Sequence, residues 1–83
     1  MNTQNEVLAL LDEILSLNGR TAAFTTDTAL LGAIPELDSM AVVALITGME
    51  ERFGFVAEDD EIDGGIFATV GTLIEFVESK LAG

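Results

Sequence analysis

Apolar residues recur at helical spacing in three separate stretches of this chain, and no stretch reads convincingly as a strand. That pattern confines the fold to a small helical bundle. In the first stretch, Thr3 to Leu17, the residues Val7, Leu8, Leu11, Ile14 and Leu15 share one face, with Asp12, Glu13 and Ser16 opposite. Thr3-Gln4-Asn5-Glu6 fits a capping box, in which hydroxyl and carboxylate satisfy orphan N–H groups reciprocally. Asn18-Gly19 suits a left-handed C-terminal cap. The second stretch runs from about Ser39 to Phe53, with Asp38 as N-cap and Gly54 as stop. Its inward face is Val42, Leu45, Ile46, Met49 and Phe53; Met40, Val43, Ala44, Thr47 and Glu51 lie opposite. A helix that serves only the core does not need so apolar an outer face. The third stretch spans about Val70 to Leu81, with Thr69 as N-cap and Val70, Leu73, Ile74, Val77 and Leu81 inward. Lys80 near its end suits the helix dipole.

The connections differ in character. Residues 19–37 are rich in Thr, Ala and Gly, and Pro35 forbids an ordinary helix interior. They read as a long ordered loop with one helical turn around Thr28 to Gly32, anchored by Phe24, Leu30, Leu31, Ile34 and Leu37. Loops of this length in small domains are often functional. A short helix or turn after the acidic run at Glu58 carries Ile62, Ile66 and Phe67 inward. The expected fold is an all-α four-helix bundle: three main helices, one short one, and a single domain over residues 1–83.

Charge and composition exclude whole classes of function. The chain has 15 acidic residues against 3 basic ones, a net charge of -12, and 49% hydrophobic residues. The apolar share argues against disorder. The charge argues against nucleic acid, which requires clustered Lys and Arg, and against an anionic membrane surface. With no His and no Cys, neither a Ser-His-Asp triad nor a Cys nucleophile exists within the chain. A zinc site would have to be all carboxylate, and a disulfide is impossible. The chain is therefore not expected to be an enzyme. Its longest apolar run, Met40 to Ile46, falls far short of the roughly 20 residues of a membrane span. With no basic leader, the expectation is a soluble, cytoplasmic monomer.

Two places invite a functional reading. Asp59, Glu61, Asp63 and Gly64 occupy the first positions of a calcium loop, but the required bidentate Glu is replaced by Val70. The run therefore reads as a solvated face with weak, non-specific divalent affinity, and no specific metal site is expected. The other place is Leu37-Asp38-Ser39-Met40, at the entrance to the second helix. Ser39 stands there beside unbonded N–H groups and the positive end of the helix dipole, a setting that favours an attached phosphate. Asp38 can cap the helix and help to hold a divalent cation. By itself, an Asp-Ser pair before a helix is an ordinary cap.

Asp38-Ser39-Met40, with Gly32 upstream and Phe53-Gly54 closing the helix, resembles the Asp-Ser-Leu signature of the acyl carrier protein family. Glu50-Glu51-Arg52-Phe53-Gly54 is similar to that family's Glu-Glu-x-Phe-Gly, and Thr69-Val70-Gly71-Thr72-Leu73 to its Thr-Val-x-x-Leu. The segments match in order along nearly the whole chain. The resemblance implies that a phosphopantetheinyl transferase attaches 4'-phosphopantetheine to Ser39 and that the arm's thiol carries acyl groups as thioesters. It implies docking through Met40, Val43, Ala44, Thr47, Glu50 and Glu51 on acyl ligases, acyltransferases or synthases with basic patches. Ala41, Ala44 and Arg52 stand where the fatty-acid carriers often have acids. The chain thus resembles specialised carriers that accompany dedicated acyl ligases in polysaccharide or exosortase-type gene clusters. A peptidyl or aminoacyl carrier would use the same arm. The rival from another class is an acidic, calcium-responsive binding module without a prosthetic group.

Overall fold

The computed structural model describes residues 3–62 and 64–82. Three α-helices, α1 (Thr3–Leu15), α2 (Ser39–Phe53) and α3 (Val70–Ala82), pack on one another. The short fourth helix is two separate 3₁₀ turns, Asp59–Glu61 and Gly64–Phe67. A further 3₁₀ turn at Arg20–Ala23 follows α1.

The first helix ends two residues earlier than its apolar pattern suggests, because Ser16 adopts a left-handed conformation with φ 54°. Leu17 N–H then donates to the Asp12 carbonyl at 3.1 Å, the long return bond of a Schellman motif. Leu17, swung out of the helix, is 1% exposed in the core. Asn18-Gly19 is accordingly not the cap of α1 but a separate turn. Both residues have positive φ (56° and 86°), and Arg20 N–H closes the turn on the Leu17 carbonyl at 3.2 Å. That geometry matches a type I′ turn, the turn most at home with Asn-Gly. At the other end α1 already includes Thr3, so the cap position falls on Asn2, outside the described residues. The Glu6 carboxylate of the expected capping box accepts from Arg52 at 3.2 Å.

The core joins Val7, Leu10, Leu11 and Leu15 of α1 with Leu45 and Met49 of α2 and Val70, Leu73, Ile74 and Val77 of α3. Leu17, Leu30, Leu37 and Phe67 complete it from the connections. Leu10, absent from the predicted stripe, is buried, and Leu8 and Ile14 flank the core instead. Two predicted anchors lie outward: Leu31 is 44% exposed and Leu81 47%. Leu81 sits in the last turn of α3. Phe55 joins the end of α2 to the middle of α3, stacking on Phe53 at 6.3 Å and meeting Phe76 edge-on at 6.1 Å.

The long loop is ordered by pairing with a distant segment. Leu30 and Leu31 N–H donate to the Ala68 and Phe67 carbonyls at 3.0 and 2.9 Å. In return Val70 and Gly71 N–H donate to the Thr28 and Thr26 carbonyls at 3.0 and 2.8 Å. One antiparallel bridge, Ala29 with Thr69, lies inside this ladder. The single helical turn expected at Thr28–Gly32 therefore sits further along, where Ile34 N–H reaches the Leu30 carbonyl at 3.0 Å. Residues 28–30 face polar backbone at the start of α3, and extended pairing satisfies both sides.

All three basic side chains bridge elements. Arg52 of α2 contacts Glu6 and Glu13 of α1 at 3.2 and 3.4 Å; Lys80 of α3 contacts Glu61 at 2.8 Å; Arg20 pairs with Glu36. The excess of carboxylates is thus turned outward. None of the helices among the described residues is long and apolar enough to cross a membrane.

Candidate functional site

The entrance to α2 is built from local rules. Asp38 is extended (φ -108°, ψ -174°), and its Oδ1 accepts the Ala41 N–H at 2.8 Å. Its own carbonyl accepts the first helical bond, from Val42 N–H at 2.9 Å. Leu37 before the cap is buried and Val42 packs on the core; these are the two positions of a hydrophobic staple. The staple and the cap fix the direction in which the helix starts, and Ser39, its first residue, is left exposed. At the far end Gly54, φ 76°, returns its N–H to the Glu50 carbonyl at 2.9 Å and stops the helix.

What distinguishes this helix start is what its backbone lacks. The cap takes the Ala41 N–H, but among the described residues the N–H groups of Ser39 and Met40 meet no protein acceptor. At α3 the same three positions are closed. Val70 and Gly71 donate to loop carbonyls, and Thr72 N–H donates to Thr69 Oγ1 at 3.1 Å. Thr72 Oγ1 accepts the Thr69 N–H in return at 3.0 Å. The start of α2 therefore combines an exposed hydroxyl, two unused donors and the positive end of a helix dipole, with no acid in its first turn. A phosphate ester on Ser39 fits that chemistry, whereas the start of α3 has no donor left to offer.

The outer face of α2 carries Met40, 78% exposed, and Val43, 62% exposed, with Thr47 and Glu51 also exposed and Ala44 partly covered. Glu51 also lines a shallow groove against α1 with Leu10, Glu13, Ile14, Gly48 and Arg52. Glu50, expected on the docking surface, also has a role within the fold. It is partly buried, and its Oε2 accepts the Ala57 N–H at 2.8 Å, so it braces the segment after the helix. That braced segment displays Val56, 68% exposed, which the sequence pattern did not single out. The signal available was its place just past the Gly54 stop, where no helical period applies. Arg52, which stands where an acid is often found, points to α1 and takes no part in the outer face.

The acidic run has other work. The Glu61 carboxylate accepts two bonds from Lys80 Nζ, at 2.8 and 2.9 Å, and one from Glu58 N–H at 2.9 Å. The lysine foremost, then the Glu58 N–H, holds Glu61 below the ordinary carboxylate range. Val70, at the place of the missing calcium ligand, is fully buried. Asp63 and the side chain of Asp59 lie outside what the structure describes, and among the described residues no three acidic groups gather to hold a metal ion.

These features define a small all-α scaffold that leaves Ser39 exposed at the start of its second helix. No family model and no curated protein matches the chain. Among solved structures it is similar to a holo acyl carrier protein from Nitrosomonas europaea, determined in solution by NMR. The two are 47% identical over all of both chains, with a TM-score of 0.92. The chain belongs to the acyl carrier protein family, a family of carriers rather than enzymes.

Proposed function

We propose that this protein carries acyl groups as thioesters on a 4'-phosphopantetheine arm joined to Ser39 through a phosphodiester. The observation that carries the reading is the open start of α2: an exposed Ser39 hydroxyl beside the unused N–H groups of Ser39 and Met40. Full-length identity of 47% to a holo carrier supports it. When bound, the arm supplies the thiol that this chain, without Cys, does not have. The protein's own residues do the presenting. Ser39 provides the ester oxygen, Asp38 fixes the helix start that aims it, and the adjacent N–H groups and dipole stabilise the phosphate charge. Asp38 also stands where a divalent cation can be held during attachment.

The modifying partner is a phosphopantetheinyl transferase drawing on coenzyme A, in the cytoplasm. The synthetic partners are acyl ligases, acyltransferases or synthases with basic patches that meet Met40, Val43, Ala44, Thr47, Glu50 and Glu51. Because both arginines and the lysine are held by Glu6, Glu13, Glu36 or Glu61, the outward field is acidic and steers such partners. Close to Ser39 the contact is apolar, with Ala41 and Ala44 in place of acids, which suits a specialised partner set. Residues 1–83 act as one carrier domain and as a monomer. The test is intact mass after incubation with a phosphopantetheinyl transferase, magnesium and coenzyme A. One phosphopantetheine is expected on the wild type and none on Ser39→Ala; failure with several active transferases would sink the reading.

A further inference from the structure

We propose that Asn18-Gly19 is a deamidation site of the folded protein, and that the Asp12 carboxylate holds its reactivity down. It is the one Asn-Gly pair in the sequence. Asn18 is exposed, and Gly19 has no side chain to hinder attack on its neighbour. Deamidation begins when the Gly19 amide nitrogen loses its proton to solvent hydroxide and attacks the Asn18 side-chain carbonyl carbon. A C–N bond forms, the bond to the side-chain nitrogen breaks, and ammonia leaves with a proton from water. Water then opens the succinimide at either carbonyl, leaving aspartate or isoaspartate.

Two features of the fold oppose the first step. Gly19 N–H donates to both oxygens of Asp12, each at 3.2 Å, so removing its proton would set a new anion against a carboxylate. Ring closure also requires Asn18 to rotate its backbone until the Gly19 nitrogen faces its own side chain. The turn that holds Asn18 and Gly19 at positive φ, closed by Arg20 N–H on the Leu17 carbonyl, fixes that rotation. Asp12 is also the residue whose carbonyl ends α1, so one side chain and its backbone secure both the helix stop and the turn. Either product adds a negative charge at residue 18, next to the glycine whose N–H Asp12 holds, and isoaspartate adds a methylene to the main chain. Deamidated protein should therefore lose the joint between α1 and the loop first.

The experiment ages the full chain at neutral pH and follows the gain of about one mass unit and the isoaspartyl content of the peptide that spans residue 18. Folded Asp12→Ala should react at least about threefold faster than folded wild type, and wild type unfolded in urea at least about tenfold faster than folded. In urea the variant and wild type should converge. Asp12→Asn, which keeps an acceptor and removes the charge, serves if the alanine variant does not fold, and should also react faster than wild type. Asn18→Gln should remove the mass gain. Equal rates for folded wild type and both Asp12 variants, or folded wild type as fast as unfolded, would overturn the proposal.

Discussion

Helices α2 and α3 have similar inward stripes, yet the fold uses them differently. Helix α3 buries Val70, Leu73, Ile74 and Val77, and its first three N–H groups are all bonded within the protein. Helix α2 buries only Leu45 and Met49, exposes Met40 and Val43, and its first two N–H groups meet no acceptor among the described residues. The difference separates scaffold from display. The apolar residues of α3 hold the bundle, whereas Met40 and Val43 on the outer face of α2 add nothing to the core and are, in the proposed function, the docking surface.

The sharpest challenge to this contrast is a pair of substitutions. Leu73→Ala, at a fully buried position of α3, should cost about 2–5 kcal/mol in urea unfolding. Val43→Glu, on the outer face of α2, should stay within about 0.5 kcal/mol of wild type and keep its helicity. It should nevertheless impair acyl transfer to the cognate partner; undiminished transfer would remove Val43 from the docking surface. A stability loss at Val43 comparable to that at Leu73 would erase the distinction between the helices.

Glycine substitutions probe the same contrast at the backbone. A Cβ at Gly71 would lie 2.9 Å from the Thr26 carbonyl oxygen, in the locked start of α3. Gly71→Ala should therefore destabilise by about 1–3 kcal/mol despite alanine's better helix propensity. At Gly48 of α2 the nearest atom is the flexible Leu10 Cδ1, at 3.1 Å, and Gly48→Ala should fall well short of that loss. Equal losses by thermal denaturation would show the two helices to be equally constrained.

Smaller effects are expected at the site helix's own cap. Asp38→Ala should lose about 1 kcal/mol, because Ala41 N–H loses its acceptor, while Asp38→Asn should keep most of the stability. If Asp38 also serves phosphopantetheine attachment, the asparagine variant should be modified more slowly at unchanged thermal midpoint.

The smallest effect is a dependence on pH at the far end of α3. Glu61 ionises below its ordinary value of 4.5 in the fold, chiefly through Lys80. A lowered carboxylate contributes stability that is fully present above the unfolded pKa and is lost as pH falls through the folded one. Glu61→Gln should thus lie slightly below wild type in thermal midpoint from neutral pH down to about 4.5, and the gap should close at lower pH. A gap that widened on acidification would reverse the assignment.

The bounds of α2, its Asp38 cap and its Gly54 stop were legible because capping joins residues within one turn of each other. The same is true of Thr69, although its partner Thr72 was not seen as the other half of a reciprocal cap. Ser39 was legible as a candidate for the same local reason. The end of α1 was misread because the pattern of apolar residues continues to Leu17, whereas Ser16 turns left-handed and sends Leu17 into the core by another path. Glu50 and Arg52 were read by their place on a helix, but their partners, Ala57 and the acids of α1, lie beyond the helical period.

From the sequence alone follow the three helices, the all-α class, the absence of an internal nucleophile pair and the serine on a capped helix start. Each depends on residue chemistry or on neighbours within a turn. Tertiary structure decided which helix start stays open. The Thr26 and Thr28 carbonyls reach the N–H groups of Gly71 and Val70 only after the chain has folded back on itself, and among the described residues no such segment reaches Ser39 and Met40. Backbone donors look alike in every sequence; only the arrangement of distant carbonyls determines which of them remain for a ligand.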